Sequence, residues 1–224
     1  MIRIGFITGI QKEAAILREN SNLLKSDIAC AGANTERAYQ LAGTLVENGC
    51  DVLVSFGIAG ALGPTLNPGD LVFPNSVLDA DGNTYKIDTT WRETVISHLK
   101  AIKINSNGPL FGSEKIISTA REKQDFNQTL GAVAVDMESL GVAKAADENT
   151  IPFIVIRAIS DTAGQNLPTA TFNAIDEKGN IQTAKILGKL AKNPRDIANL
   201  IKLASNSRRA FASLRRVAAL GFDF

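Results

Sequence analysis

Residues 134–161 of the chain read AVDMESLGVAKAADENTIPFIVIRAISD, and the fold prediction starts from this stretch. Two apolar runs, each closing on acidic residues, flank a segment at 139–149 that is rich in Ala and predicts a helix. A strand, a helix and a second strand in this order are typical of an open α/β sheet, in which ligands bind at the carboxyl ends of the strands. We therefore expect Met137 and Glu138 to lie near Ser160 and Asp161 at one rim of the sheet.

The N-terminal part of the chain adds strands to this unit. Residues 2–7 form an apolar run, and the helical pattern that begins at Lys12 places Glu13 just beyond the end of that strand. A third strand at 52–56 leads into the sequence Gly57-Ile58-Ala59-Gly60. This glycine spacing matches neither a dinucleotide-binding fingerprint nor a P-loop, but it lets the backbone approach a ligand closely.

The middle and the end of the chain complete the fold prediction. Residues 71–78 and 84–87 flank an Asp-Gly turn and predict a hairpin, so the sheet is expected to be mixed. Residues 108–118 are predicted to be extended. A C-terminal amphipathic helix is predicted over about 195–220, with Pro194 at its start.

Composition limits the class of protein and of partner. The chain has 224 residues, of which 45% are hydrophobic, so we expect a single domain over residues 1–224 with one sizeable core. Lys and Arg number 24 against 23 Asp and Glu, and a net charge of +1 gives no support for a nucleic-acid partner. A small-molecule substrate is therefore expected.

Cysteine usage and hydropathy predict a cytoplasmic location. Cys30 and Cys50 are the only cysteines in the sequence, and neither has a metal-ligand spacing, so no metal site is predicted. Two thiols in a chain of this length are typical of a reducing compartment. No apolar window reaches the roughly 20 residues that a membrane-spanning helix needs.

Three charged residues in or near the predicted strands are candidates for chemistry. Burial of Asp161 at the end of an apolar strand would favour a protonated carboxyl group, although a turn or helix cap uses the same residue type. Glu138 could bind a ligand or simply occupy the first turn of a helix, where the helix dipole favours an acid. Arg157 lies inside an apolar strand, and because a buried cation is unfavourable unless paired, we expect it to pair with Glu13 or to contact a nucleophile.

The order and spacing of these motifs resemble the nucleoside phosphorylase and nucleosidase superfamily. Met137-Glu138 looks like the ribose-binding Met-Glu pair of that superfamily, and RAISD at 157–161 looks like the segment that ends in its purine-protonating Asp. Glu13 falls where methylthioadenosine/S-adenosylhomocysteine nucleosidases carry the carboxylate that activates water. The resemblance implies a three-layer α/β/α nucleoside phosphorylase-like fold around a mixed central sheet, and a homodimer or larger assembly.

A narrower resemblance is to the hopanoid-associated phosphorylases, which remove adenine from adenosylhopane. It rests on VDMES at 135–139, on DADG at 79–82, and on a basic C-terminal tail that ordinary nucleosidases of this superfamily lack. It implies that the chain releases adenine from adenosylhopane in hopanoid lipid biosynthesis. Two alternatives stay open: a methylthioadenosine/S-adenosylhomocysteine nucleosidase, and a non-catalytic nucleoside-binding protein on the same fold.

The resemblance also implies roles in breaking the bond between ribose and a purine. Asp161, oriented by Ser160, would protonate the departing purine. An ionised Glu138 would hold the ribose hydroxyls and stabilise the cationic transition state, while Met137 packs on the sugar.

Further contacts are expected around the base and the sugar. Ile117 and Ser118 stand where nucleosidases carry their purine-contacting residues, and they are the candidates for contact with the base. Gly57 and Ile58 are expected to bring the backbone of the third strand close to the substrate. No cofactor is implied.

The sequence leaves the nucleophile open between water and inorganic phosphate as a co-substrate. Glu13 as a general base favours water, because a carboxylate would repel a phosphate dianion. Against this, Arg157 and the backbone N–H groups at Gly9 and Gly32 could bind an anion.

The predicted C-terminal helix has an apolar arc and a basic arc. The basic arc would suit an anionic membrane surface, so peripheral contact with the inner membrane face is one expectation. Docking of the helix on the core, with its basic arc in water, is the other. The cations are Lys202, Arg208, Arg209, Arg215 and Arg216.

Overall fold

A computed structural model describes residues 2–19, 27–99, 104–105 and 108–222 of the protein. The strands are β1 (Ile4–Thr8), β2 (Ile28–Cys30), β3 (Val52–Ala61), β4 (Leu71–Val72), β5 (Ser76–Leu78), β6 (Thr84–Lys86), β7 (Ile104–Asn105), β8 (Leu110–Gly112), β9 (Ala134–Asp136) and β10 (Phe153–Asp161). The helices are α1 (Gln11–Arg18), α2 (Thr35–Glu47), α3 (Thr89–His98), α4 (Ala120–Leu130), α5 (Ser139–Glu148), α6 (Thr183–Lys192) and α7 (Ile197–Ala219).

The strands form one mixed sheet, which confirms the predicted fold class. Its order is β6-β5-β8-β9-β3-β10-β4-β7, and β1 pairs with β3 and with β2. The strand β3 lies parallel to both β1 and β10, whereas its last two residues pair antiparallel with β9. The predicted hairpin is the antiparallel pair of β5 and β6. Its first strand, predicted over 71–78, is shorter than expected, because Leu71–Val72 forms the separate strand β4, which pairs with β10 and β7.

The direction of β9 differs from the expectation that β9 and β10 end at the same rim. The two strands are not neighbours, and β9 runs antiparallel to β3, with Val135 opposite Gly60. Asp161 also lies opposite Gly60, whereas Arg157 lies opposite Gly57. Because the chain after β9 runs back along β3, Glu138 is carried to the level of Arg157 and not to that of Asp161. The two levels are three residues of β3 apart, or about 10 Å.

The central strands β3 and β10 are buried along most or all of their length. Every residue of β10 is buried, including Arg157, whose exposed fraction is 0%. The Gly57-Ile58-Ala59-Gly60 sequence was expected to follow the third strand, but it lies within β3, which continues to Ala61. A continuous apolar run of this kind is typical of a strand covered on both faces.

Helices cover the sheet in two packed pairs. The helix α2 packs on α5, and α1 packs on α7, which also contacts β10. Gly141 allows the first of these contacts, because a Cβ atom there would lie 2.7 Å from the backbone nitrogen of Tyr39. The side chain of Asn34 caps α2 by accepting a hydrogen bond from the N–H of Arg37 at 2.7 Å.

Two segments differ from the sequence prediction in extent. Only Leu110–Gly112 of the stretch predicted to be extended forms a strand, and the rest leads to the capped start of α4. The C-terminal helix begins after a 3-10 turn at Pro194–Asp196 and ends one residue before the predicted end. Within the described ranges, no helix combines the length and the hydropathy needed to cross a membrane.

Candidate active site

Arg157 lies at the centre of a buried group of charges, which we call the Arg157 cluster: Arg157, Asp136, Glu138 and Glu13. Its Nε lies 2.5 Å from Asp136 Oδ2, and its Nη2 lies 3.2 Å from Glu138 Oε2. Glu13 lies in α1, Asp136 ends β9 and Glu138 immediately precedes α5. Three separate elements thus place carboxyl groups around one guanidinium group. We expected Arg157 to pair with Glu13 or to contact a nucleophile. The carboxyl groups in direct contact with the guanidinium are instead those of Asp136 and Glu138.

Two serines accept hydrogen bonds from Arg157. Its Nη2 donates to Ser55 Oγ at 2.6 Å and to Ser139 Oγ at 3.2 Å. The hydroxyl of Ser139 donates in turn to Asp136 Oδ2, and the N–H of Ser139 donates to Asp136 Oδ1 at 3.0 Å. These contacts hold Asp136 in place as the main counter-ion of Arg157.

Glu13 accepts three hydrogen bonds from the backbone. Its Oε2 accepts from the N–H groups of Gly9 and Ile10 at 2.8 and 2.9 Å, and its Oε1 accepts from the N–H of Ile58 at 2.8 Å. Burial raises the pKa of Glu13, although Arg157 and these N–H groups oppose the rise. A buried carboxylate whose pKa moves towards neutrality is suited to general-base chemistry.

Glu138 is a second carboxyl group of the cluster whose pKa is raised. Burial raises its pKa to about 8; Arg157 opposes the rise, and the nearby carboxylates of Asp136 and Glu13 add to it. The raised pKa favours the protonated form of Glu138, whereas the sequence led us to expect an ionised group. The main physical reason is removal of the carboxyl group from water, and the two neighbouring carboxylates add to this effect.

Close side chains explain the glycines at Gly9 and Gly57. A Cβ atom at Gly57 would collide with Arg157 Nη1 and lie 2.7 Å from Glu13 Oε1, and one at Gly9 would collide with the carboxyl group of Glu138. The sequence suggested that the missing side chain at Gly57 makes room for a ligand. In the structure, the space beside Gly57 is occupied by the side chains of Arg157 and Glu13. Ile58, also expected near substrate, is half-buried, and its backbone N–H bonds to Glu13.

Asp161 lies apart from the Arg157 cluster and has a cation of its own. The ammonium group of Lys123 lies 2.5 Å from Asp161 Oδ2, and both side chains are buried. The hydroxyl of Ser160 donates to Asp161 Oδ1 at 2.7 Å, which is the contact expected of a residue that orients the acid. The sequence predicted burial of Asp161 but not its lysine partner.

The remaining candidates surround these two groups. Met137 is half-buried, and its carbonyl accepts a hydrogen bond from Thr35 Oγ1 at 2.9 Å. Ile117 packs against a small apolar cluster that includes Val135, the residue opposite Gly60. Ser118 is half-buried, and its N–H donates to Glu122 Oε2 at 3.2 Å, so the structure gives it a role at the start of α4.

Asp136 and Lys123 are the charged residues that sequence reasoning missed. Asp136 was within a recognised motif, and its position at the end of a buried strand was the available signal. Lys123 lies three and seven residues before Phe126 and Leu130, so it occupies the apolar face of an otherwise polar helix. A lysine at such a position indicates either a snorkelling side chain or a buried partner.

Comparison with known proteins assigns the family. A model of the phosphorylase superfamily matches residues 22–192 of the chain. The 5'-methylthioadenosine/S-adenosylhomocysteine nucleosidase of Staphylococcus saprophyticus is 27% identical over 84% of this chain and 99% of that enzyme. The enzyme of the same name from Staphylococcus epidermidis is 30% identical, over 50% of this chain and 58% of that enzyme.

Solved structures share the fold. The nucleosidase of this name from Neisseria meningitidis, in complex with methylthio-immucillin-A, superposes with a TM-score of 0.75, at 17% identity over all of both chains. Futalosine hydrolase of Helicobacter pylori superposes with a TM-score of 0.68, at 17% identity over 85% of this chain and 97% of that one. The chain therefore belongs to the phosphorylase superfamily, and it is an enzyme that cleaves the N-glycosidic bond of a nucleoside.

Proposed function

We propose that the protein is a nucleosidase that hydrolyses 5'-substituted adenosines such as 5'-methylthioadenosine and S-adenosylhomocysteine. The names of its curated relatives support this substrate class. They do not support adenosylhopane, which the narrower resemblance had suggested, and they favour the alternative nucleosidase reading. Three buried carboxylates in the positions of the superfamily motifs argue against a protein that only binds nucleosides.

The position of the Glu13 carboxylate carries the proposal of water as the nucleophile. A phosphate ion would need backbone N–H donors near Gly9, but the N–H groups of Gly9, Ile10 and Ile58 already bond to Glu13. A phosphate dianion would also lie beside a carboxylate, which is unfavourable. Water has neither difficulty.

Arg157 offers a donor for that water. Its Nη1 is buried and has no hydrogen-bond partner among the described residues. At Gly57 this nitrogen and Glu13 Oε1 approach the same point, because a Cβ atom added there would contact both. We infer that a water molecule between them would donate a proton to Glu13 and accept a hydrogen bond from Arg157.

The two levels of the site match the two ends of a nucleoside. Glu138, beside Arg157, would meet the ribose hydroxyls, with Met137 against the sugar. Asp161, about 10 Å further along β3, would protonate the purine, with Ile117 near the base. No cofactor takes part in this scheme.

Adenine release tests the proposal. The protein is incubated with 5'-methylthioadenosine, S-adenosylhomocysteine or adenosylhopane, with and without inorganic phosphate, in water enriched in oxygen-18. We expect adenine from the first two nucleosides, no dependence on phosphate, and one heavy oxygen in the sugar product. Adenine from adenosylhopane alone would contradict the substrate class, and a sugar 1-phosphate product would contradict the role of water.

We also propose a peripheral contact between the C-terminal region and an anionic membrane. Residues 178–222 contain ten Lys and Arg but one acid, Asp196, which accepts hydrogen bonds from Thr169. No residue of α6 or of positions 197–205 is buried, and Leu187, Ile197 and Ile201 expose apolar side chains. Apolar residues among cations suit the surface of an anionic bilayer.

The second half of α7 is not available for such a contact. Its apolar residues are buried against the core, which agrees with docking of the helix. A second copy of the chain is a poor partner for α6 and the start of α7, because a two-fold interface would place cations against cations. The expected homodimer or larger assembly would therefore use another face.

Co-sedimentation with phosphatidylcholine vesicles, with and without phosphatidylserine, tests the membrane contact. A variant with Leu187 and Ile201 changed to Ser should lose binding to the anionic vesicles. The matched control changes Arg215 and Arg216, on the docked half of α7, to Gln and should bind like the parent. No binding by the parent, or equal loss in both variants, would contradict this assignment.

A further inference from the structure

Lys123 is an unusual residue in α4, because it is the only residue of this helix that is buried. Its side chain has an exposed fraction of 0%. The opposite face of the helix is exposed to water and carries polar and charged residues such as Arg121 and Gln124. A buried ammonium group is unfavourable unless all of its charge and hydrogen-bonding capacity is matched, so its partners indicate what it does.

The ammonium group of Lys123 makes three contacts, one for each of its protons. It donates to Asp161 Oδ2 at 2.5 Å, to the carbonyl of Thr162 at 3.1 Å and to the carbonyl of Gln165 at 2.9 Å. We call this arrangement the Lys123 clamp. It ties the side chain of Asp161 to the turn that follows β10, where the N–H of Gln165 donates to the carbonyl of Thr162 at 3.0 Å.

The clamp continues into the C-terminal helix. The side chain of Gln165 is buried, and its Oε1 accepts a hydrogen bond from Asn206 Nδ2 at 3.1 Å. Asn206 is the first buried residue of α7. The acid, the turn after it and the start of the docked part of α7 are thus held by one polar network with Lys123 at its centre.

We propose that Lys123 is a positioning residue for the glycosidic reaction, which holds the Asp161 carboxyl group and the turn at 162–165 in the arrangement that meets the purine. This inference rests on the proposed function, because it assumes that Asp161 acts on the leaving base. Ser160 fixes one oxygen of Asp161 and Lys123 fixes the other, so the carboxyl plane has no freedom to rotate. Without Lys123 the acid would lose both its orientation and its attachment to the turn.

A double-mutant cycle on kcat tests the clamp. The proteins are the parent, Lys123→Met, Asp161→Asn and the double variant, with Arg121→Met as the matched control on the exposed face of α4. We expect Lys123→Met to lower kcat by about 10- to 100-fold, since misplacement by about 1 Å has effects of this size. KM should change by less than about threefold, because only the acid is disturbed, and Arg121→Met should match the parent.

The double variant separates positioning from a general loss of structure. If Lys123 acts through Asp161, the double variant has the same kcat as Asp161→Asn, because no acid is left to orient. Independent losses that multiply, or a Lys123→Met enzyme with the kcat of the parent, would overturn the inference. Lys123→Met alone leaves the buried Asp161 without its cation, which could unfold the protein. The double variant has neither charge, so we expect it to stay folded. Its kcat can then still be compared with that of Asp161→Asn.

An inactive parent would be a failure of the proposed function and not of the clamp. In that case the same cycle is measured as affinity for free adenine by calorimetry, which needs no turnover. Weaker binding by Lys123→Met that vanishes in the Asp161→Asn background supports the clamp. Equal affinity in all proteins, or no adenine binding by any of them, overturns it.

Discussion

At the scale of single residues, the site is governed by an imbalance of buried charge. Three carboxyl groups surround Arg157, and they cannot all be ionised at little free-energy cost in a buried site. The imbalance shows in Glu138, whose pKa burial raises to about 8. A substrate that needs an ionised Glu138 would therefore have to displace its proton, so protonation and binding are linked.

Changing Glu138 to Gln should alter the pH dependence of stability. A carboxyl group with a raised pKa in the folded state binds its proton more tightly there than in the unfolded chain, so it stabilises the fold most below its ordinary value of 4.5. That contribution is lost as the pH rises towards 8, at about 1.4 kcal/mol per pH unit at most. We expect the parent to lose stability between pH 5 and 8 and Glu138→Gln to lose less, measured by urea unfolding. Parallel curves for the two proteins would contradict the shift.

Changing Glu13 to Gln should stop hydrolysis. The amide keeps the shape of the side chain but cannot take a proton from water, so kcat should fall by about 100-fold or more. Adenine release from 5'-methylthioadenosine measures the loss, and adenine affinity in the same variant shows whether the base site is intact. An enzyme within a few-fold of the parent would move the general base elsewhere.

At the scale of the elements, β3 and β10 build the site as a pair of parallel strands. The strand β3 contributes its backbone, since Gly57 makes room for Glu13 and Arg157 and the N–H of Ile58 holds Glu13. The strand β10 contributes the side chains of Arg157 and Asp161, one at each level. The site therefore depends on the absence of a side chain at one position of β3 as much as on the charges themselves.

Changing Gly57 to Ala should disrupt the site and destabilise the fold. The added methyl group would collide with Arg157 and Glu13, which are buried and cannot move into water, so we expect a loss of about 1–3 kcal/mol and inactivity. The matched control is Gly43→Ala in α2, where a Cβ atom meets nothing within 4 Å. That control should be more stable by about 0.5–1 kcal/mol. Equal thermal shifts in the two variants would contradict the close packing at Gly57.

Prediction of elements from sequence succeeded where a pattern was local. Local sequence patterns predicted the apolar strand β10, the hairpin of β5 and β6 and the start of α7 near Pro194. The direction of β9 could not be predicted, because a strand of three residues does not determine whether it pairs parallel or antiparallel with β3. That single choice moved Glu138 from the level of Asp161 to the level of Arg157.

Prediction of the site failed where a partner was distant in the sequence. Arg157 was expected to need a counter-ion, but no local pattern points to Asp136, which is 21 residues earlier. Lys123 was overlooked because the other residues of α4 suggest a solvated helix, and its partner Asp161 is 38 residues away. The charges were all visible, whereas the pairs they form depend on the fold.

At the scale of the whole molecule, the charges are unevenly divided. The formal charge of the chain is +1, but residues 178–222 hold ten of its 24 Lys and Arg and only one of its 23 acids. The remainder is therefore net acidic.

The exposed cations on α6 and α7 give the molecule a basic surface, whereas the rest of the chain is net acidic. The sequence pI of about 7.7 suggests weak retention on any ion exchanger near neutral pH. Retention depends, however, on the charge of the surface that contacts the resin and not on the net charge of the protein. The basic surface would bind a cation-exchange resin, and the acidic residues of the remaining chain would bind an anion-exchange resin. Chromatography alone would therefore give two contradictory impressions of the same protein's charge.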